Sequence, residues 1–113
     1  MEKLDEISRQ RIKLARKNLD MTLEQVANKC GVQKSTVRKW EEGLIKTIKY
    51  EHMAMLAEIF NVSLAWLMGM NVPMRNEESE HKMIRNEISD KLMFLSTSDL
   101  KKLNIIIDTM FSK

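Results

Sequence analysis

Glycine and proline are nearly missing from this chain of 113 residues, which has three of the first and one of the second. A strand-rich fold needs frequent turns, so the shortage predicts helices. Aromatic residues make up only 5% of the sequence, so the core must come from Leu, Ile, Val and some of the ten methionines. A single cysteine, Cys30, excludes an internal disulfide. Set among helical apolar positions, it reads as a small core residue. No apolar run approaches the ~18 residues of a membrane span. The opening Met1-Glu2-Lys3-Leu4-Asp5-Glu6 has no signal-peptide core. A cytoplasmic location with no membrane partner is the expectation. His52 and His81 have no ligands at metal-binding spacing, so no metal is expected. A Gly-rich phosphate loop, a nucleophile elbow and paired carboxylates are missing too, which argues against a cofactor and against an enzyme.

What is present is an uneven charge. The net charge is only +3, but residues 1–70 carry 12 Lys/Arg against 9 Asp/Glu, while residues 71–113 carry 7 of each. The whole excess lies in the first part. That pattern suggests a polyanion-binding head and an electrically neutral tail.

Helical periodicity and caps divide the head. Ile7, Ile12, Leu14, Ala15 and Leu19 suggest an amphipathic first helix, with Asp20 at the turn. Thr22 and Gln25 form a capping-box pattern for a short helix from Leu23 to Cys30, stopped by Gly31. A third helix runs from about Gln33 to Glu42 and ends at Gly43; residues 44–49 read as a loop. A fourth covers Tyr50 to Phe60. A fifth, capped by Ser63, covers Leu64 to Met68. Residues 71–78 hold the only proline and no core pattern, and read as a linker. Two further helices are predicted at about 79–95 and 99–111, with Ser96-Thr97-Ser98 as the turn between them.

Residues 22–43 carry the functional signal. Two short helices meet at a tight turn, with the small Ala27 where they cross and Gly31 in the turn. Val32, Val37 and Trp40 wedge the second helix against the first. Its opposite face shows Lys34, Ser35, Arg38 and Lys39. A helix that is basic outside and apolar inside suits the major groove of double-stranded DNA.

With Arg11-Ile12-Lys13-Leu14-Ala15-Arg16-Lys17 before it, and Leu56-Ala57 and Val62-Ser63-Leu64-Ala65-Trp66-Leu67-Met68-Gly69 after it, residues 9–69 resemble the lambdoid repressor and Cro (XRE-type) helix-turn-helix family. The resemblance implies an all-α, five-helix DNA-binding domain over residues 1–70. It implies base contacts from Lys34, Ser35 and Lys39, with Gln33, Thr36 and Arg38 flanking them. It implies phosphate contacts from Lys46, Lys49 and the helix start at Tyr50. It also implies an ion pair between Arg16 and Glu41 that ties helix one to helix three. Three departures stand out. Leu23 replaces a glutamine that often clamps phosphate, Asp20 replaces a turn glycine, and Ile48 replaces a proline, which predicts a less rigid loop.

Residues 79–113 read as a helical hairpin with two apolar stripes: Ile84, Ile88 and Leu92 on one helix, and Leu100, Leu103, Ile107 and Met110 on the other. Two helices bury little surface alone, so the hairpin is expected to pack on something, foremost a second copy. The whole reads as a regulator, a repressor binding a palindromic operator as a homodimer. The alternative is an antitoxin that represses its own operon while the tail binds a toxin; an antagonist protein is a further possible partner.

Overall fold

Capping residues place most helix boundaries. In a computed structural model describing residues Met1–Ser112, the order is β1 (Glu2–Lys3), α1 (Glu6–Asn18), α2 (Leu23–Cys30), α3 (Lys34–Glu42), β2 (Thr47–Ile48), α4 (Tyr50–Phe60), α5 (Leu64–Leu67), α6 (Glu77–Leu92) and α7 (Thr97–Phe111). The Thr22–Gln25 capping box is complete, with Gln25 N donating to Thr22 Oγ1 at 3.1 Å and Thr22 N to Gln25 Oε1 at 2.8 Å. Gly31 and Gly43 close α2 and α3 in the left-handed region, at φ of 70° and 74°. Asp20 and Asn61 enter the same region, at φ of 53° each. Asp and Asn bear that conformation better than other residues with side chains.

Helices α1 to α5 enclose one core. Ile12, Val26, Val37, Met53, Leu56, Phe60 and Leu67 are wholly buried there. Packing of this kind, more than intrinsic propensity, stabilises helices as short as eight or nine residues.

The buried face of α1 differs from the expected one. Ile7 and Leu14 are exposed, and the inward residues are Ser8, Ile12 and Ala15, continuing from the buried Leu4 before the helix. Ser8 is wholly buried, and Gly69 lies against it: a Cβ at Gly69 would be 3.4 Å from the Ser8 hydroxyl. The expected loop between α3 and α4 contains β2, which pairs antiparallel with β1. Ile48 is buried there, so the position expected to loosen the loop is an anchor instead.

The segment read as a linker is partly structured. Met74 packs on the core, and its carbonyl accepts from Ser63 N at 2.8 Å. Helix α6 begins two residues before the expected start, because Asn76 Oδ1 accepts from Ser79 N at 2.8 Å and forms the cap. The chain divides into two units, Met1–Glu80 and the remainder from His81. In the second unit, α7 is capped by Ser96, whose Oγ accepts from Asp99 N at 3.1 Å.

Asp5 caps α1 by accepting the Ser8 N–H at 2.9 Å. That bond holds the Asp5 carboxyl below its ordinary value. A lowered value in the folded state means the stabilisation is present above the unfolded value of about 3.9 and is lost as pH falls through the folded one. Asp5→Ala should therefore cost about 1 kcal/mol near neutral pH, a drop in Tm of about 4–8 °C. Thermal unfolding below about pH 3 should show the two proteins converging; a constant gap across pH would remove the charge from the account.

Candidate nucleic-acid interface

Helix α3 is amphipathic, and its two faces have separate tasks. Val37 is wholly buried and Trp40 nearly so, while Gln33, Lys34, Ser35, Arg38 and Lys39 are exposed. Thr36 is half-buried, so of the flanking positions its side chain is the least available. Gln33 is the N-cap, but its side chain makes no capping bond. The sequence order thus places four polar side chains from the first two turns on one uncovered surface.

Two contacts fix how α3 sits. Arg16 in α1 meets Glu41 in a bidentate pair, Nε to Oε2 at 2.8 Å and Nη2 to Oε1 at 2.9 Å. Both side chains are largely buried, at 12% and 4% exposure. A third guanidinium hydrogen bond runs from Nη1 to the Met21 carbonyl at 2.9 Å, so the same arginine also holds the α1–α2 turn. The hydrogen bonds that Arg16 donates to Glu41 raise the Arg16 pKa. On the other side, the Trp40 ring lies 5.5 Å from that of His52 in α4.

The basic residues of the head fall into two groups. Arg16 and Arg11 are committed to the fold. Arg11 donates to the carbonyls of Trp66 and Met70, at 2.7 Å each, and lies 5.0 Å over the Trp66 ring. Lys34, Lys39, Lys46 and Lys49 are exposed, and none is in an ion pair among the described residues. Arg38 meets Glu42 at 3.5 Å, but both are more than half exposed, so water screens that pair and it holds the arginine weakly.

Lys46, Lys49 and Tyr50 all sit exposed where the α3–α4 loop enters α4. Lys49 is the N-cap of α4 by backbone conformation alone, since an ammonium has no acceptor with which to cap. Leu23, at the start of α2, packs partly against the core and offers no polar group at its surface. Sequence reasoning missed what supports this loop, namely Leu4 and the β1 strand. A two-residue strand is too short for alternation to show.

In the second unit no residue of α6 or α7 is buried. Leu92 and Leu103 are half-buried, and Ile84, Ile88, Leu100, Ile107 and Met110 are exposed. The most exposed apolar side chains lie beyond the expected stripes: Phe94 at 89%, Phe111 at 80% and Met93 at 79%.

Residues 12–67 match the family model for the helix-turn-helix (HTH_3). Among solved structures, the N-terminal DNA-binding domain of SinR from Bacillus subtilis is similar, at 26% identity over 61% of this chain and 100% of that one, with a TM-score of 0.55. SinR, the master regulator for biofilm formation, solved in complex with DNA, is 30% identical over 52% of this chain and 97% of its own, with a TM-score of 0.50. The complex of SinR with SinI protein is similar in fold over 95% of this chain and 99% of that one, at 23% identity and a TM-score of 0.53. No curated protein matches the chain.

Removing one partner of the Arg16–Glu41 pair leaves a buried charge without its counter-ion. Arg16→Met alone should cost about 3–5 kcal/mol in chemical denaturation. The double variant Arg16→Met with Glu41→Leu should recover most of that loss. A double variant as unstable as the single one would make the pair a net source of stability, beyond its orienting role.

Proposed function

The chain belongs to the XRE-type helix-turn-helix family, matched over residues 12–67, and from that premise we propose that it is a DNA-binding transcriptional regulator that represses from a palindromic operator as a homodimer. The observation that carries the reading is the two-sided α3: Val37 and Trp40 wholly or nearly buried, Lys34, Ser35 and Lys39 uncovered. On this reading α3 lies in the major groove. Lys34 and Lys39 donate to acceptors on base edges, for which guanine O6 and N7 are the best match to a lysine. Ser35 donates or accepts beside them. Gln33 and Arg38 reach neighbouring bases or phosphates, with Thr36 contributing less because it is half-buried. Lys46, Lys49 and the backbone at Tyr50 contact the sugar-phosphate chain and set the register of the helix. Support comes from the similarity to the SinR domain, a relative solved in complex with DNA.

The second unit supports the dimer. A hairpin with no buried residue has no core of its own. Its exposed leucines, isoleucines, methionines and phenylalanines need cover, and an equal hairpin from a second copy supplies a matching surface. One α3 spans few base pairs. Two of them, related by a two-fold axis, read half-sites about 34 Å apart or a multiple of that. A second reading, an antagonist protein that takes the same apolar surface, is favoured by the high exposure of Phe94 and Phe111.

Selection of bound sites from random duplexes should return a palindrome with half-site centres about 10 base pairs, or a multiple, apart. On that site Lys39→Ala should cost about 1–3 kcal/mol, with less loss on unrelated DNA. Equal losses on both would make Lys39 a phosphate contact. Lys46→Ala and Lys49→Ala should instead weaken all duplexes alike, each reducing the salt slope by about one. Failure of the intact chain to bind any duplex in a salt-sensitive way would defeat the DNA reading. Ending the chain at Glu80 should leave a folded monomer. Sedimentation of that form as a dimer would take dimerisation away from the hairpin.

A further inference from the structure

We propose that Lys3 is a further phosphate-contacting residue, delivered to the DNA backbone by the pairing of β1 with β2. The inference rests on the reading of the α3–α4 loop as a backbone contact. Three observations carry it. First, β1 is held where it is by the core and the ladder together. Leu4 is buried at 4% exposure and Ile48 at 1%, and Leu4 N donates to the Lys46 carbonyl at 2.9 Å. Second, the antiparallel register sets Glu2 opposite Ile48 and Lys3 opposite Thr47. Residues opposite each other in a ladder share a face. Ile48 faces inward, so Thr47 and Lys3 face outward, and both are exposed. Third, Thr47 stands between Lys46 and Lys49, which are exposed and outside any ion pair among the described residues. The pairing therefore sets a third exposed lysine beside a short segment that carries two others. Lys3 itself makes no salt bridge among the described residues. Asp5, whose carboxyl feels the Lys3 charge, caps α1 and makes no salt bridge with it. The register decides this: shifted by one residue, Lys3 would point into the core face.

The test measures binding of the intact chain to a random-sequence duplex across a range of salt concentrations. Lys3→Gln keeps the backbone pairing and removes the charge. It should lower the slope of log affinity against log salt by about one unit and weaken binding several-fold at low salt. Lys3→Arg should keep the parental slope. The thermal transition of both variants should match the parent, since the side chain is exposed. A parental slope in Lys3→Gln overturns the inference. Lys46→Ala separates the two levels. If Lys46→Ala loses a unit of slope and Lys3→Gln loses none, the Lys3 contact alone fails. If neither loses any, the backbone-contact reading of the loop fails with it.

Discussion

Helix α3 has to be held firmly by one side only. Nine residues are too few for a helix to persist alone in water, so packing must supply its stability. On the proposed reading it cannot be packed all round, because the reading face must stay empty until the groove fills it. Val37 and Trp40 carry the packing, and the Arg16–Glu41 pair carries the orientation. The ion pair suits that second task. A hydrophobic contact tolerates small rotations of a helix, whereas a bidentate guanidinium–carboxylate pair is directional and allows little. Desolvation of both charges offsets much of the attraction in a buried pair, so geometric specification is the role its directional contacts suit.

The same separation runs through the charges. A cation tied to an internal carboxylate or carbonyl is lost to a phosphate partner. Arg11 and Arg16 are tied in this way. The lysines of α3 and of the α3–α4 loop are left without ion pairs among the described residues, so binding a polyanion breaks no existing bridge there. Long lysine side chains lose conformational freedom when they bind, and part of the electrostatic gain offsets that loss. A loop already ordered by backbone pairing lowers the remaining cost. β1 and the buried Ile48 order the loop.

Local chemistry made most of the head legible in the sequence. Thr22, Gly31, Gly43, Asn61 and Ser63 mark helix ends because each satisfies a backbone group or accepts a conformation within a few residues of itself. The two faces of α3 were legible for the same reason, since helical spacing assigns sides without knowledge of the neighbours. What could not be read depends on distant partners. Nothing near Ser8 indicates that Gly69 closes over it. Ile7 and Leu14 are apolar at helical spacing and still face outward, because the buried stripe of Ser8, Ile12 and Ala15 lies about a third of a turn away. Lys3 and Thr47 pair only because the chain brings residues 44 positions apart into one ladder.

The hairpin presents the opposite problem. Its helices are well capped and its apolar residues plentiful, yet none is buried in α6 or α7. Two helices share only one seam, and a chain that places isoleucines, methionines and phenylalanines on several sides of them has more apolar surface than that seam can use. Were such surface left in water, each fully exposed large side chain would forgo about 1.5–3 kcal/mol of burial. That loss is the driving force available for assembly in the proposed dimer. Joining two heads through one assembly converts the second binding event into an intramolecular one. Each head can then bind weakly by itself, as a chain with Leu23 at the start of α2 in place of a polar clamp is expected to do. Anything that competes for the hairpin surface would remove that advantage without touching α3, and so would release the DNA from a distance.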